Sequence, residues 1–202
     1  MVGETLPRSS NGKQLCRIAL TGGPGGGKTT AADMLRREIG DRIVIVPESA
    51  TMLFSGGFPR CEEASAREAV QQAIFHVQRN LEEVQSQRYP DRMLLCDRGT
   101  VDGAAYWPEP NTDAFFEEVG SSCAEELARY HAVIILDVPT AAQGYDHRNP
   151  TRIETPDEAS RIGHRIQEAW RDHPRCTRVG AAPSFWSKIQ RSVDLIGQAL
   201  DG

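Results

Sequence analysis

The sequence predicts an α/β fold, a parallel five-stranded sheet in a three-layer arrangement with helices on both faces. Two observations predict it: short apolar runs alternate with helical stretches, and the first run feeds a glycine-rich turn that opens a helix. Residues 15–20 are mostly apolar and read as the first strand. The glycine-rich turn follows, then a helix over 28–39 that Gly40 ends. A second strand covers 42–46, stopped by Pro47, with Glu48 at its C-terminal end. Residues 50–60 hold Gly56, Gly57 and Pro59 and read as a loop. Over 62–88, Ala66, Ala69, Val70, Ala73, Ile74, Val77, Leu81 and Val84 recur at helical spacing. The third strand, 93–96, runs directly into Asp97 and Arg98. A helix is expected over 112–130 and a fourth strand over 132–136, ending in Asp137. Then come a helix over 157–172 with Ile162, Ile166 and Trp170 on one face, a fifth strand over 175–179, and a closing helix over 184–200. Strands that are continuous apolar runs belong to sheets buried on both faces.

A chain of 202 residues suits one domain of this kind. Residues 1–14, polar with Gly, Pro, Ser and Asn, read as a disordered leader. Residues 15–202 form the single domain, with a polar lid around 138–165. The net charge of −5 argues against general binding to nucleic acid or to a membrane surface. No apolar run approaches the roughly 18 residues of a membrane span. The five cysteines are odd in number, widely spaced and without a C-x-x-C pair, as expected of free thiols in a reducing compartment, and a cytoplasmic location is expected. The histidines show no metal-ligand spacing with the cysteines, so no structural zinc site is expected.

Gly22-Gly-Pro-Gly-Gly-Gly-Lys28-Thr29 satisfies the P-loop pattern G-x-x-x-x-G-K-[ST], between an apolar strand and a helix as that pattern requires. Gly23, Pro24, Gly25, Gly26 and Gly27 let the backbone curl until successive N–H groups point at phosphate oxygens, and the helix start at Lys28, Thr29 and Thr30 adds partial positive charge. Lys28 supplies a cation for the β- and γ-phosphates, and Thr29 a hydroxyl ligand for Mg²⁺. This pattern implies a bound nucleoside triphosphate, ATP or alternatively GTP. It does not choose a reaction.

In a doubly wound sheet the ligand lies beyond the C-terminal strand ends, where Glu48, Asp97 and Asp137 fall. Asp97 closes an apolar run and suits the metal site or the orientation of an acceptor hydroxyl. Arg98 beside it suits an acceptor or transferred phosphate, and Glu48 is the rival general base. Asp137 falls nearer the lid if its strand lies on the other side of the first. Arg148, Arg152, Arg161 and Arg165 surround the polar segment. Arg161 and Arg165 share one helix face, and Arg148 and Arg152 are the lid arginines that would close over a triphosphate. Trp107 is a further candidate for the wall of an acceptor pocket.

Thr21–Thr30, Val46-Pro-Glu48, Asp97-Arg-Gly-Thr-Val-Asp-Gly-Ala-Ala-Tyr106, Asn149-x-x-Arg152-x-Glu154 and Trp170-Arg-Asp-His-Pro174 followed by Phe185-x-x-Lys188 together resemble the small P-loop proteins labelled AAA-family ATPases. That group is similar to the ribosylnicotinamide kinase domain of bacterial NAD regulators and to the N-terminal domain of the TRPL-translocation-defect proteins. The resemblance spans residues 15–200, and the Asp97–Tyr106 block is its specific part. It implies a kinase-like strand order of 2-3-1-4-5 rather than a hexameric machine. It also implies Asp97 and Arg98 in the active site, Arg148 and Arg152 in a lid, Asp102 near the acceptor, and Tyr106 in the pocket wall. The group holds kinases and regulatory proteins. The expectation that follows is a Mg²⁺-dependent, ATP-binding small-molecule kinase acting on a nucleoside-like or other small acceptor. The alternative is an ATP- or GTP-binding switch, or an ATPase, that contacts a protein or phospholipid partner. A homodimer stays open.

Overall fold

The computed structural model describes residues 16–108, 111–137 and 155–180, together with Ser187, 190–192, Asp194 and Leu195. The 1–14 leader, Arg148, Arg152, Glu154 and most of the expected lid lie outside the described residues, as does most of the closing helix, whose described positions are helical.

Among the described residues, five strands make one sheet: β1 (Arg17–Thr21), β2 (Ile43–Val46), β3 (Met93–Asp97), β4 (Ala132–Leu136) and β5 (Cys176–Val179). All pairings are parallel and the order is β2-β3-β1-β4-β5, as the resemblance implies. Among the described residues, helices α1 (Lys28–Ile39), α2 (Ser49–Ser55), α3 (Ala64–Arg88), α4 (Asp102–Tyr106), α5 (Thr112–Glu118), α6 (Cys123–Ala128) and α7 (Pro156–Trp170) connect or flank them.

The period of two along each strand divides the core. Ile18 and Leu20 of β1, with Leu95, Ile134 and Leu136, pack against Ala31, Ala32 and Leu35 of α1. Ala19, with Leu94, Cys96, Val133 and Ile135, faces Phe75, Phe115, Ile166 and Trp170 on the opposite side. Each fully buried Leu or Ile contributes about 1.5–3 kcal/mol, so both faces must be covered for the sheet to stand. Register then sets the site: Leu20 pairs with Asp97 and Val46 with Cys96, so β1, β2 and β3 all end at one edge.

Three expectations change. The span 50–60 is not all loop. Ser49–Ser55 is helical, and Gly56 and Gly57 with Pro59 end that helix rather than fill the segment. The single helix expected over 112–130 is two, broken where Gly120 takes a φ of 70° and Ser122 caps a new start through the Glu125 N–H. In α3 the buried residues are Val70, Phe75, Gln78, Glu82 and Ser86, while Val84 is exposed. A polar row turns inward there because its partners are inside. Glu82 accepts from the Tyr130 hydroxyl (2.6 Å), Arg129 Nη2 (2.5 Å) and Gln78 Nε2 (3.2 Å).

Candidate functional site

The glycine-rich turn is shaped by crowding as well as by freedom. Gly22 has a φ of 137°, and a Cβ there would stand 2.1 Å from the Leu136 carbonyl oxygen on β4. Only glycine lets β1 pass this close to its neighbour and turn away. Gly25 and Gly27 also take positive φ, and Gly27 is the cap residue of α1, with no side chain bonded across the helix start. The first-turn N–H groups of α1 are therefore left to an anion. Lys28, 7% exposed, meanwhile donates to the turn's own carbonyls, Gly22 O at 3.0 Å and Gly23 O at 3.1 Å. Burial, helped by the nearby Arg98 guanidinium, lowers Lys28 to about 8. A polyphosphate would restore the environment that its ammonium lacks.

Thr29 Oγ1 donates to Asp97 Oδ2 at 3.0 Å. Asp97 is 4% exposed, and its other oxygen, Oδ1, has no hydrogen-bond partner. Burial raises its pKa, and Glu48 adds to the rise. A buried carboxylate oxygen left over beside a hydroxyl suits a hard divalent cation with oxygen ligands, so these residues fit Mg²⁺.

Arg98 joins the remaining parts. Its φ of 74° is the one positive value for a non-glycine among the described residues, an uncommon conformation that is found at functional turns. Its own N–H donates to Leu20 O (3.0 Å), and the side chain swings back across the edge. Nε donates to Glu48 Oε1, and Nη1 donates to Gly22 O (3.2 Å) and to Asp102 Oδ2 (3.1 Å). Burial alone would raise the Glu48 pKa. The Arg98 and Lys28 charges, with a hydrogen bond from Thr51, overcome it and bring Glu48 to about 2. Glu48 is thus an ionised acceptor rather than a strong base.

Asp102 is 3% exposed and fully engaged. Thr21 Oγ1 donates to Oδ2 alongside Arg98, and Trp170 Nε1 donates to Oδ1 at 2.6 Å. It fastens β1, α4 and α7 together beneath Arg98. Gly99 lets this happen, since a Cβ there would meet the Trp170 ring at 2.6 Å. A second buried network holds the same loop from behind. Thr100 N donates to the Tyr130 hydroxyl (2.8 Å) and Thr100 Oγ1 to Glu126 Oε2 (2.7 Å). Sequence reasoning missed Glu82 and Glu126. The available signal was the polar row at 78, 82 and 86 on a helix that otherwise reads amphipathic.

One cavity of about 1280 Å³ opens from the glycine-rich turn. It reaches past Glu48 and Arg98 to Arg67 on α3, Tyr106 on α4, and Arg161 and Arg165 on α7. Tyr106 lines it, as implied. Trp107 does not: it is 4% exposed and packs on Phe115 with ring centroids 5.5 Å apart. Trp107 is the residue that ends α4, where the backbone turns extended (φ −60°, ψ 137°), and its ring goes into the core. Asp137 follows β4, on the far side of β1 from β3. It accepts from Arg178 Nε (2.7 Å) and Gln167 Nε2 (3.2 Å), away from the Thr29–Asp97 pair. Among the described residues no helix is long and apolar enough to cross a membrane.

The sequence model of a family described as AAA domain matches residues 17–181. No curated protein matches the chain. Among solved structures, thymidylate kinase from Ehrlichia chaffeensis has a TM-score of 0.60 with this chain, covering 90% of it and 98% of the kinase at 13% identity. At that identity the likeness is one of fold.

Proposed function

The chain belongs to the AAA domain family, and on that premise we propose that it is a Mg²⁺-dependent phosphotransferase, moving the γ-phosphoryl group of ATP to a hydroxyl or phosphate of a small, nucleoside-like acceptor. One observation carries the reading: the phosphate cradle opens into a chamber of about 1280 Å³, above the roughly 300–1,000 Å³ of ordinary ligand pockets. That volume suits two substrates end to end.

The roles follow from position. Backbone N–H groups of Gly25 and of Gly27 through Thr30 hold the phosphate oxygens. Lys28 leaves the Gly22 and Gly23 carbonyls for the β- and γ-phosphates, where its ammonium is better matched. Thr29 and Asp97 Oδ1 would hold Mg²⁺, which supplies charge neutralisation at the phosphates when bound. Glu48, held ionised by Arg98, accepts the hydrogen bond of an acceptor hydroxyl and orients it. Asp97, with its raised pKa, is the alternative proton acceptor. Arg98 reaches from Glu48 to the turn and offers donors to the transferring group. Positioning and charge are most of what phosphoryl transfer asks of a protein. Arg148 and Arg152 close over the triphosphate in this reading.

The test is coupled ADP production over a panel of nucleosides, nucleoside monophosphates and other small acceptors. Turnover that depends on one acceptor class and vanishes in Lys28→Ala supports the transferase. Turnover that is equal without any acceptor, and is lost in Lys28→Ala, makes the protein an ATPase instead.

A further inference from the structure

We infer that Gln78 on α3 is the residue that reads the acceptor: its carboxamide oxygen, Oε1, takes one hydrogen bond from an N–H or O–H group of the bound molecule. This role rests on the nucleoside-like acceptor proposed above, whose base and sugar both carry such groups, and it concerns recognition rather than transfer.

Helix α3 presents Gln71, Ile74, Phe75 and Gln78 to the cavity, at the spacing of one helix face. Gln78 is 2% exposed, and its amide nitrogen is fully used. Nε2 donates to Glu82 Oε1 at 3.2 Å and to Arg98 O at 3.3 Å. Both partners are acceptors, so exchanging the nitrogen and oxygen of the carboxamide would set oxygen against oxygen twice. Glu82 is itself held as an acceptor: Oε1 takes the Tyr130 hydroxyl at 2.6 Å and Oε2 takes Arg129 Nη2 at 2.5 Å. The orientation of Gln78 is therefore fixed, with Oε1 as the free end of a side chain that lines the cavity. Oε1 is buried without a hydrogen-bond partner.

A buried acceptor left over on a cavity wall is costly until a ligand completes it. Its neighbours on the same face, Ile74 and Phe75, are apolar and cannot. Two hydroxyls of the same network are committed elsewhere: Thr100 Oγ1 donates to Glu126 Oε2 at 2.7 Å, and the Tyr130 hydroxyl donates to Glu82. In such surroundings one hydrogen bond sorts ligands sharply, because a molecule that fills the space without a donor leaves Oε1 desolvated and unmatched. The same carboxamide bonds the Arg98 carbonyl, and the Arg98 guanidinium holds Glu48. Recognition at Gln78 and the carboxylate that orients the acceptor hydroxyl thus share one support.

Calorimetry tests this without turnover. Protein saturated with the Mg²⁺ complex of a non-hydrolysable ATP analogue is titrated with nucleoside pairs that differ by one donor. The pairs are adenosine and purine riboside, guanosine and inosine, cytidine and 2-pyrimidinone riboside, uridine and 3-methyluridine, and adenosine and 2′-deoxyadenosine. In at least one pair the member with the donor should bind about tenfold tighter or more. Gln78→Leu, which keeps the bulk and removes the oxygen, should weaken that member by about tenfold or more and change its donorless partner by less than about threefold. The partner's affinity also shows that the cavity is intact. Gln78→Met carries the same prediction should the leucine variant not fold. The first four pairs probe a base N–H and the last a sugar O–H, so the pair that responds tells the two sources apart. No preference in any pair, no binding of any nucleoside, a preference that survives the substitution, or equal weakening of both members would overturn the role of Gln78. Nucleosides that bind with this preference but are never phosphorylated leave that role standing and refute the transferase reading. Phosphorylation that ignores both the donor and Gln78→Leu refutes the role alone.

Discussion

Replacing Asp102 by Asn tests how the loop after β3 is held. Three donors converge on this 3% exposed carboxylate: the Thr21 hydroxyl and Arg98 Nη1 on one oxygen, and Trp170 Nε1 on the other at 2.6 Å. Asn keeps a single acceptor oxygen and turns an N–H₂ toward at least one existing donor. A hydrogen bond to a charged group contributes about 1.5–3 kcal/mol, and stranding a buried donor adds its desolvation. Arg98 also loses one of its two anionic partners but keeps Glu48, which limits the loss. The sum is about 3 kcal/mol, a large share of the stability of an ordinary domain. At a slope of about 2 kcal/mol per molar urea, the unfolding midpoint should fall by about 1.5 M with the slope unchanged. A fall of less than about 0.3 M would show that the three donors find other acceptors, and that Asp102 does not fasten β1 to α4 and α7.

Gly22→Ala should cost about 3 kcal/mol or more, because a Cβ 2.1 Å from Leu136 O forces β1 and β4 apart at a φ that side chains avoid; thermal unfolding checks it, and a stable variant refutes the close approach. Tyr130→Phe removes the donor to Glu82 and the acceptor for Thr100 N, and should lower stability by about 2 kcal/mol in urea; a neutral variant would mean that water replaces the hydroxyl. Lys28, lowered to about 8, should make Mg·ATP affinity fall about tenfold between pH 7 and pH 9 as its proton leaves. The folded state releases this proton before the unfolded state does, so the group's contribution to stability rises with pH from about 8 towards its unfolded value. Affinity that is flat over this range would refute the assignment.

Much of the fold was legible because the strands are apolar runs that stop at marked residues. Met93–Asp97 and Ala132–Leu136 each end where an acid begins or follows, and Pro47 closes β2. The strand order was not in the periodicity and came from the resemblance. The glycine-rich turn was legible because its chemistry is local. What the sequence hid is made by contacts between distant segments. Nothing around Arg98 announces a φ of 74° or a side chain aimed back at Gly22. Glu82 and Glu126 look like ordinary helix-surface acids until Arg129, Tyr130 and Thr100 are brought beside them. Trp107 was expected in the pocket wall because it follows the 97–106 segment, but it lies where α4 ends and the chain turns extended, and its ring is buried against Phe115.

The proposed function stands on polyphosphate being held by the turn from Gly22 to Thr29, through its backbone and Lys28. Titration calorimetry of Mg·ATP into the wild-type chain and into Lys28→Ala checks this. Saturable one-to-one binding, weakened at least about tenfold in the variant by loss of its charge-assisted hydrogen bonds, is the predicted result. Absence of binding by the wild-type chain, or equal affinity in the two proteins, would contradict it.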